Sequence, residues 1–132
     1  MTDATCHGEI ILTLPDGPCE PVSVNSIPSH PMERARMKTK FVNPVTTILR
    51  SQFNSKGMTA LTPPVELYIV YTFKEHRSRD RDNYTSGSTK WLIDILKGWA
   101  WNGDDDSETM DLRPVELIVT GEAKTIIRIC EK

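Results

Sequence analysis

The segment that most constrains the fold is VELYIVYTF, residues 65–73. Val65, Leu67, Ile69, Tyr71 and Phe73 alternate with Glu66, Tyr68, Val70 and Thr72, and a period of two is the signature of a strand with one face buried. The side that carries Glu66 and Thr72 is the more polar one. A strand of this length needs strand neighbours and a covering layer, so the rest of the chain must supply both. Beyond Phe73 the character of the chain changes abruptly. Residues 74–81, KEHRSRDR, hold four Lys/Arg and one His, and the next residues complete RSRDRDN.

Other elements are arranged around this strand. EIILTL (9–14) is apolar and β-prone and stops at the turn sequence PDGP. A proline-rich stretch over 15–40 reads as a long irregular connection, of the kind often kept for function. NPVTTILRSQFN (43–54) carries Val45, Ile48, Leu49 and Phe53 near helical spacing, with Asn43 as N-cap and Pro44 in the first turn. A second helix is predicted from about Thr89 to Gly98, capped by Ser88, with Trp91, Leu92, Ile95, Leu96 and Trp99 on its apolar face. VELIVT (115–120) and KTIIRIC (124–130), joined by a GEA turn, close the chain as strands. The expected fold class is α+β, a single domain over 1–132 with a mixed β-sheet and two helices in the order β-α-β-α-β-β. Residues 1–8 are expected to be flexible.

At 132 residues, 38% hydrophobic and 26% charged, the chain is long enough to bury a core without staples. It has no run of apolar residues long enough for a membrane span and no apolar leader, which predicts a cytoplasmic protein. Cys6, Cys19 and Cys130 are widely spaced and fit a reducing compartment. Cys6-His7 with Cys19 lacks a fourth zinc ligand, and Cys130 lies in an apolar run. The net charge of −2 argues against an indiscriminate nucleic-acid binder, but its distribution is uneven. Residues 33–40, ERARMKTK, form a second basic patch, and 104–111, DDDSETMD, hold five acids. Local positive charge is what phosphate neutralisation requires.

The carboxylates carry the chemistry. If the chain stays extended past residue 73, Asp80 and Asp82 leave one face about 7 Å apart, spaced for hard cations. Asp106 lies beyond the second helix, and the intervening loop is long enough for it to return to them. Three converging carboxylates repel, and Mg²⁺ or Mn²⁺ relieves that repulsion. Such an ion activates a phosphodiester for hydrolysis, with arginines on the backbone and a lysine against transition-state charge. Alternative chemistries fail on spacing. Residues 104–115 place Thr109 and Val115 where a calcium loop needs Gly and Glu, and Ser86 and Ser88 have no nearby His and Asp. Trp91, Trp99 and Trp101 read as core residues.

PVSVNS (21–26), RSRDRDN (77–83), KWLIDIL (90–96) and DDSE (105–108) occur in an order that resembles the RusA family of Holliday-junction resolvases. The resemblance covers residues 9–120. It implies an endodeoxyribonuclease, a homodimer that binds four-way DNA junctions and nicks two strands symmetrically with Mg²⁺ or Mn²⁺. It assigns Asp80 and Asp82 as the first two catalytic acids and metal ligands, Asp106 as the third with Asp105 as its alternative, and Lys90 as the essential lysine. Asn83 completes the signature and is counted, with Lys74, Arg77, Arg79 and Arg81, among the DNA-contacting residues. Six residues, YTSGST, separate Asn83 from Lys90 where the family has two. Gly87 and its flanking serines favour a looped-out insertion that returns Lys90 to its place. The alternatives are an earlier helix start that shifts Lys90 about 6 Å along the axis or an ungapped match that puts Ser86 at the lysine position.

Overall fold

The computed structural model describes residues 8–132. The expectations for the leading residues, including Cys6 and His7, lie outside it. The described residues form one α+β domain with a five-stranded mixed sheet and three helices. The strands are β1 (Glu9–Pro15), β2 (Val65–Phe73), β3 (Met110–Leu112), β4 (Glu116–Val119) and β5 (Lys124–Glu131). The helices are α1 (Pro31–Ser55), α2 (Arg81–Thr85) and α3 (Ser88–Leu96).

β2 is the centre that its sequence pattern requires. It pairs antiparallel with β5, which pairs antiparallel with β1, and on its other side it pairs parallel with both β3 and β4. The register aligns Leu12, Ile127 and Ile69 across three strands, and likewise Ile10, Ile129 and Leu67. All six are buried, and they face the layer formed by Phe41, Val45, Leu49 and Phe53 of α1 and the apolar side of α3. The opposite sheet face stays partly open, with Ile11 43% exposed. β4 and β5 are consecutive in the chain but do not pair. The turn between them passes over the end of β2, where the Thr120 and Gly121 N–H groups donate to the Phe73 carbonyl.

The expected order with two helices gains a third helix and the strand β3, and two expectations about the helices are corrected. The helix expected at 43–54 begins at Pro31, so part of the expected irregular connection is helical. His30 accepts from the Met32 N–H as N-cap, and Pro31 takes the first helical position, where its missing N–H costs nothing. Pro44 therefore stands inside α1 rather than at its start. The second correction is at 80–90. The chain does not loop out there. It forms the short helix α2, breaks at Ser86-Gly87, and restarts as α3.

Candidate active site

The break between α2 and α3 is fixed by close packing. The Val22 N–H donates to Ser88 Oγ at 2.8 Å, and the Ser88 N–H donates to the Val22 carbonyl at 2.9 Å. Ser88 is thus a buried clamp rather than the expected N-cap, and Gly87 takes the cap position. A Cβ on Gly87 would stand 2.0 Å from the Val22 carbonyl oxygen, so only glycine admits this approach. Beneath α3, the Tyr71 hydroxyl hydrogen-bonds to Thr89 Oγ1 at 2.5 Å. Burial pushes the Tyr71 hydroxyl pKa up to about 12, against the lowering effect of the Thr89 and Ser88 hydrogen bonds.

Asp80 and Asp82 are delivered by this architecture, but not in extended geometry. Asp80 is the N-cap of α2, and its Oδ1 accepts from the Asp82 N–H at 2.9 Å. Capping bends the chain into a helical turn, so the two side chains belong to one helix start instead of one strand face. Both are exposed, and neither forms an ion pair among the described residues. They line an open cleft of about 1000 Å³ with Ser78, Arg79, Arg81 and Asn83 on one wall and Pro114–Ile118 on the other. Glu116, which sequence pattern alone does not single out, enters this cleft because β4 pairs in parallel with Val70–Phe73.

The arginines divide. Arg77 and Arg81 are exposed and, among the described residues, without ion pairs, as Lys74 is. Arg79 is committed to its own loop. Its guanidinium lies 3.7 Å over the Phe73 ring, and Nη1 donates to the Glu75 and Arg77 carbonyls. It organises residues 74–80 as they leave β2, so the expected DNA-contacting guanidinium is engaged in shaping the loop.

Asp106 does not join Asp80 and Asp82. Its Oδ1 accepts from the Glu108 and Thr109 N–H groups at 3.0 and 2.9 Å, closing a turn that leads into Met110. Met110 is paired with Val65 at the start of β2, whereas the Asp80 cleft lies alongside Val70–Phe73. Five strand residues at about 3.3 Å each put roughly 16 Å or more between the two. The cause is topological. A crossover between parallel strands must carry the chain back to the end where the first strand began. Residues just after β2 and residues just before β3 therefore stand at opposite ends. Asp105, the alternative third acid, is 3.6 Å from Lys97 Nζ, which also holds Asp104 at 3.3 Å and Asp94 at 3.5 Å. The hydrogen bond that Lys97 Nζ donates to Asp104 Oδ1 holds the Lys97 pKa up, while the Asp105 N–H and Lys97 hold the Asp104 carboxyl down. Among the described residues, no group of three or more His, Cys, Asp or Glu is arranged to hold a metal ion.

Lys90 lines a neighbouring groove, with Arg34 and Trp91, and not the Asp80 cleft. Trp91 and Trp101 are core residues as expected, at 8% and 0% exposure, and Trp99 is half-buried against Phe53 and Arg50. No family model matches the chain, and no curated protein matches it. No helix among the described residues is long and apolar enough to cross a membrane.

Proposed function

We propose that this chain is a metal-dependent DNA endonuclease for branched DNA, nicking four-way junctions by phosphodiester hydrolysis, as its resemblance to the RusA family implies. In this reading it works in the cytoplasm as a homodimer, because a junction offers two symmetry-related strands. The observation that carries the reading is the open, polar cleft in which Asp80 and Asp82 stand beside Asn83 and between arginines, without an ion pair among the described residues. Its donors are carboxylate and amide oxygens, which fit Mg²⁺ or Mn²⁺. Asp80 Oδ1 is occupied by the Asp82 N–H, so its second oxygen and both oxygens of Asp82 would hold the ion, with water completing the shell. When bound, the ion supplies Lewis-acid activation of the scissile phosphate.

The chain's own residues do the rest. Arg77 and Arg81 hold the sugar–phosphate backbone against the cleft. Arg79, fixed on Phe73, sets the position of Asp80 by fixing the loop that ends in it. Incubating the protein with a synthetic four-way junction and Mg²⁺ tests the reading: paired symmetric nicks support it. A band shift without nicks supports a junction-binding protein without turnover, a second reading favoured by the placement of Asp106 and Lys90 outside the cleft.

A further inference from the structure

The groove beside α3 is a separate feature. It is about 390 Å³ in volume and is lined by Val24, Ile27, Pro28, Ser29 and Arg34 on one side and by Ser86, Gly87, Lys90 and Trp91 on the other. Its charge pattern is one-sided. Along the seam between α1 and α3, Lys38 meets Asp94 at 3.9 Å, an opposite-charge contact between the helices. One turn toward the N-terminus of each helix, the equivalent positions are Arg34 and Lys90, two cations in one groove whose lining, among the described residues, holds no carboxylate. The first pair compensates itself and the second does not. Juxtaposed like charges raise the free energy of the empty groove, and a bound anion relieves it.

We infer that this groove binds a backbone phosphate of the same DNA strand that enters the Asp80 cleft. Arg34 donates Nε and Nη2 to the Pro28 and Ser29 carbonyls, which fixes its guanidinium and leaves Nη1 for the ligand. Among the described residues, Lys90 Nζ has no ion-pair partner, and Ser29 and Ser86 line the groove with it. Trp91, Ile27 and Val24 add apolar surface to the lining, which lowers the local dielectric around the two cations. The neighbouring cleft decides for nucleic acid over an acidic peptide. Only α2 separates the two sites, and five helical residues span about 7.5 Å at about 1.5 Å each. Phosphates repeat about every 3.4 Å of helix axis on each strand of a duplex, so a strand with one phosphate in the cleft presents another to the groove within one or two nucleotides. Lys90 is thus a strand-holding residue. The inference rests on the nuclease reading and fixes the path of its substrate.

The test is binding of a fluorescein-labelled four-way junction in EDTA across a salt series, with nicking in Mg²⁺ measured in parallel. Lys90→Gln should lower the log–log salt slope by about 0.9, the loss of one phosphate contact, and Lys90→Arg should restore it. Arg34→Gln should do the same, with a thermal melt to confirm folding. Lys56→Gln, the same charge removed at the far end of α1, should leave the slope unchanged. An unchanged slope in Lys90→Gln, or an equal fall in Lys56→Gln, overturns the groove while wild-type nicking still stands. Displacement of the junction by poly-glutamate as readily as by polyphosphate makes the occupant an acidic protein and overturns the assignment to DNA. A wild type that binds the junction and never nicks it counts against the nuclease reading alone.

Discussion

Asp80 and Asp82 stand beside Arg77, Arg79 and Arg81 without pairing to any of them, whereas Asp104 and Asp105 share Lys97 and Asp106 is used on its own turn. In sequence the two regions look alike, each a knot of carboxylates after an apolar element. In the fold they differ in what their neighbours ask of them. The first region leaves β2 into a cleft, where, among the described residues, only one carboxylate oxygen of Asp80 and Asp82, Asp80 Oδ1, is consumed by the backbone. The second must turn a crossover back into β3 beside Val65, and it is pinned there by the Trp101 indole N–H donating to the Asp104 carbonyl and by the Asn102 N–H donating to the Leu61 carbonyl. Carboxylates tied to local structure hold a chain. Carboxylates left over can hold a ligand.

The sharpest way to break this contrast is to remove one acid from each region. Asp82→Asn should lower junction nicking by on the order of 10²–10³-fold, the range for loss of a group that stabilises transition-state charge, while junction binding in EDTA persists. Asp106→Ala should leave nicking within a few-fold and cost about 1 kcal/mol in urea unfolding, the usual loss for a capping side chain. If Asp106→Ala stops nicking while remaining folded, the two regions act together, and a second copy of the chain must bring Asp106 to the cleft.

The next effect concerns the joint that separates the acid cleft from the groove. Gly87→Ala forces a Cβ onto the Val22 carbonyl, a backbone atom that cannot rotate away. The expected cost is about 3 kcal/mol, the upper end for overpacking, read as a lowered unfolding midpoint. A wild-type midpoint would mean that the contact between 22 and 88 is not tight. Below it in size comes Tyr71→Phe, which removes the buried partner of Thr89 Oγ1 and should cost about 1 kcal/mol. Tyr71 lines neither the cleft nor the groove, so Tyr71→Phe should leave nicking per folded molecule unchanged.

Much of the fold was legible because it depends on short-range patterning. The alternation in VELYIVYTF, the strands near both ends of the chain and the α3 apolar face all arise from local periodicity. The start of α1 was missed because the prolines of 15–31 mimic a loop and mask His30-Pro31, a cap with a residue suited to the first helical position directly after it. The pairing of Asp80 and Asp82 in one site was legible from spacing, but its geometry was not. A D-x-D at the end of a strand can continue extended or cap a helix, and the choice lies in the residues after it, NYT, which complete a turn. The position of Asp106 was out of reach for a different reason. Reach along the chain allowed it to return, and only the parallel pairing of β2 with β3 forbids it. A parallel pairing of β2, this time with β4, also brings Glu116 to the cleft. Knowing that β3 and β4 run parallel to β2 would have removed Asp106 from the cleft and pointed to Glu116.

The smallest expected effect probes the second region through pH. The Asp104 carboxyl is held below its ordinary value by the Asp105 N–H and by Lys97. A depressed acid contributes stability above its unfolded pKa, near 3.8, and that contribution is lost as pH falls through the lower folded value. Lys97 runs the other way. Its raised pKa contributes stability below the unfolded value of 10.5, lost as pH rises through the higher folded one. The pair therefore supports the fold over the whole span between those limits. It stands at the surface, so its contribution is modest and screened by salt. Urea midpoints of wild type and Asp104→Asn, measured from about pH 6 to below about pH 3, should converge as acid protonates Asp104, and about 1 M salt should narrow the gap at the upper end. A gap that is constant across this range would show that the charge of Asp104 contributes nothing, so that its pairing with Lys97 does not hold the second region.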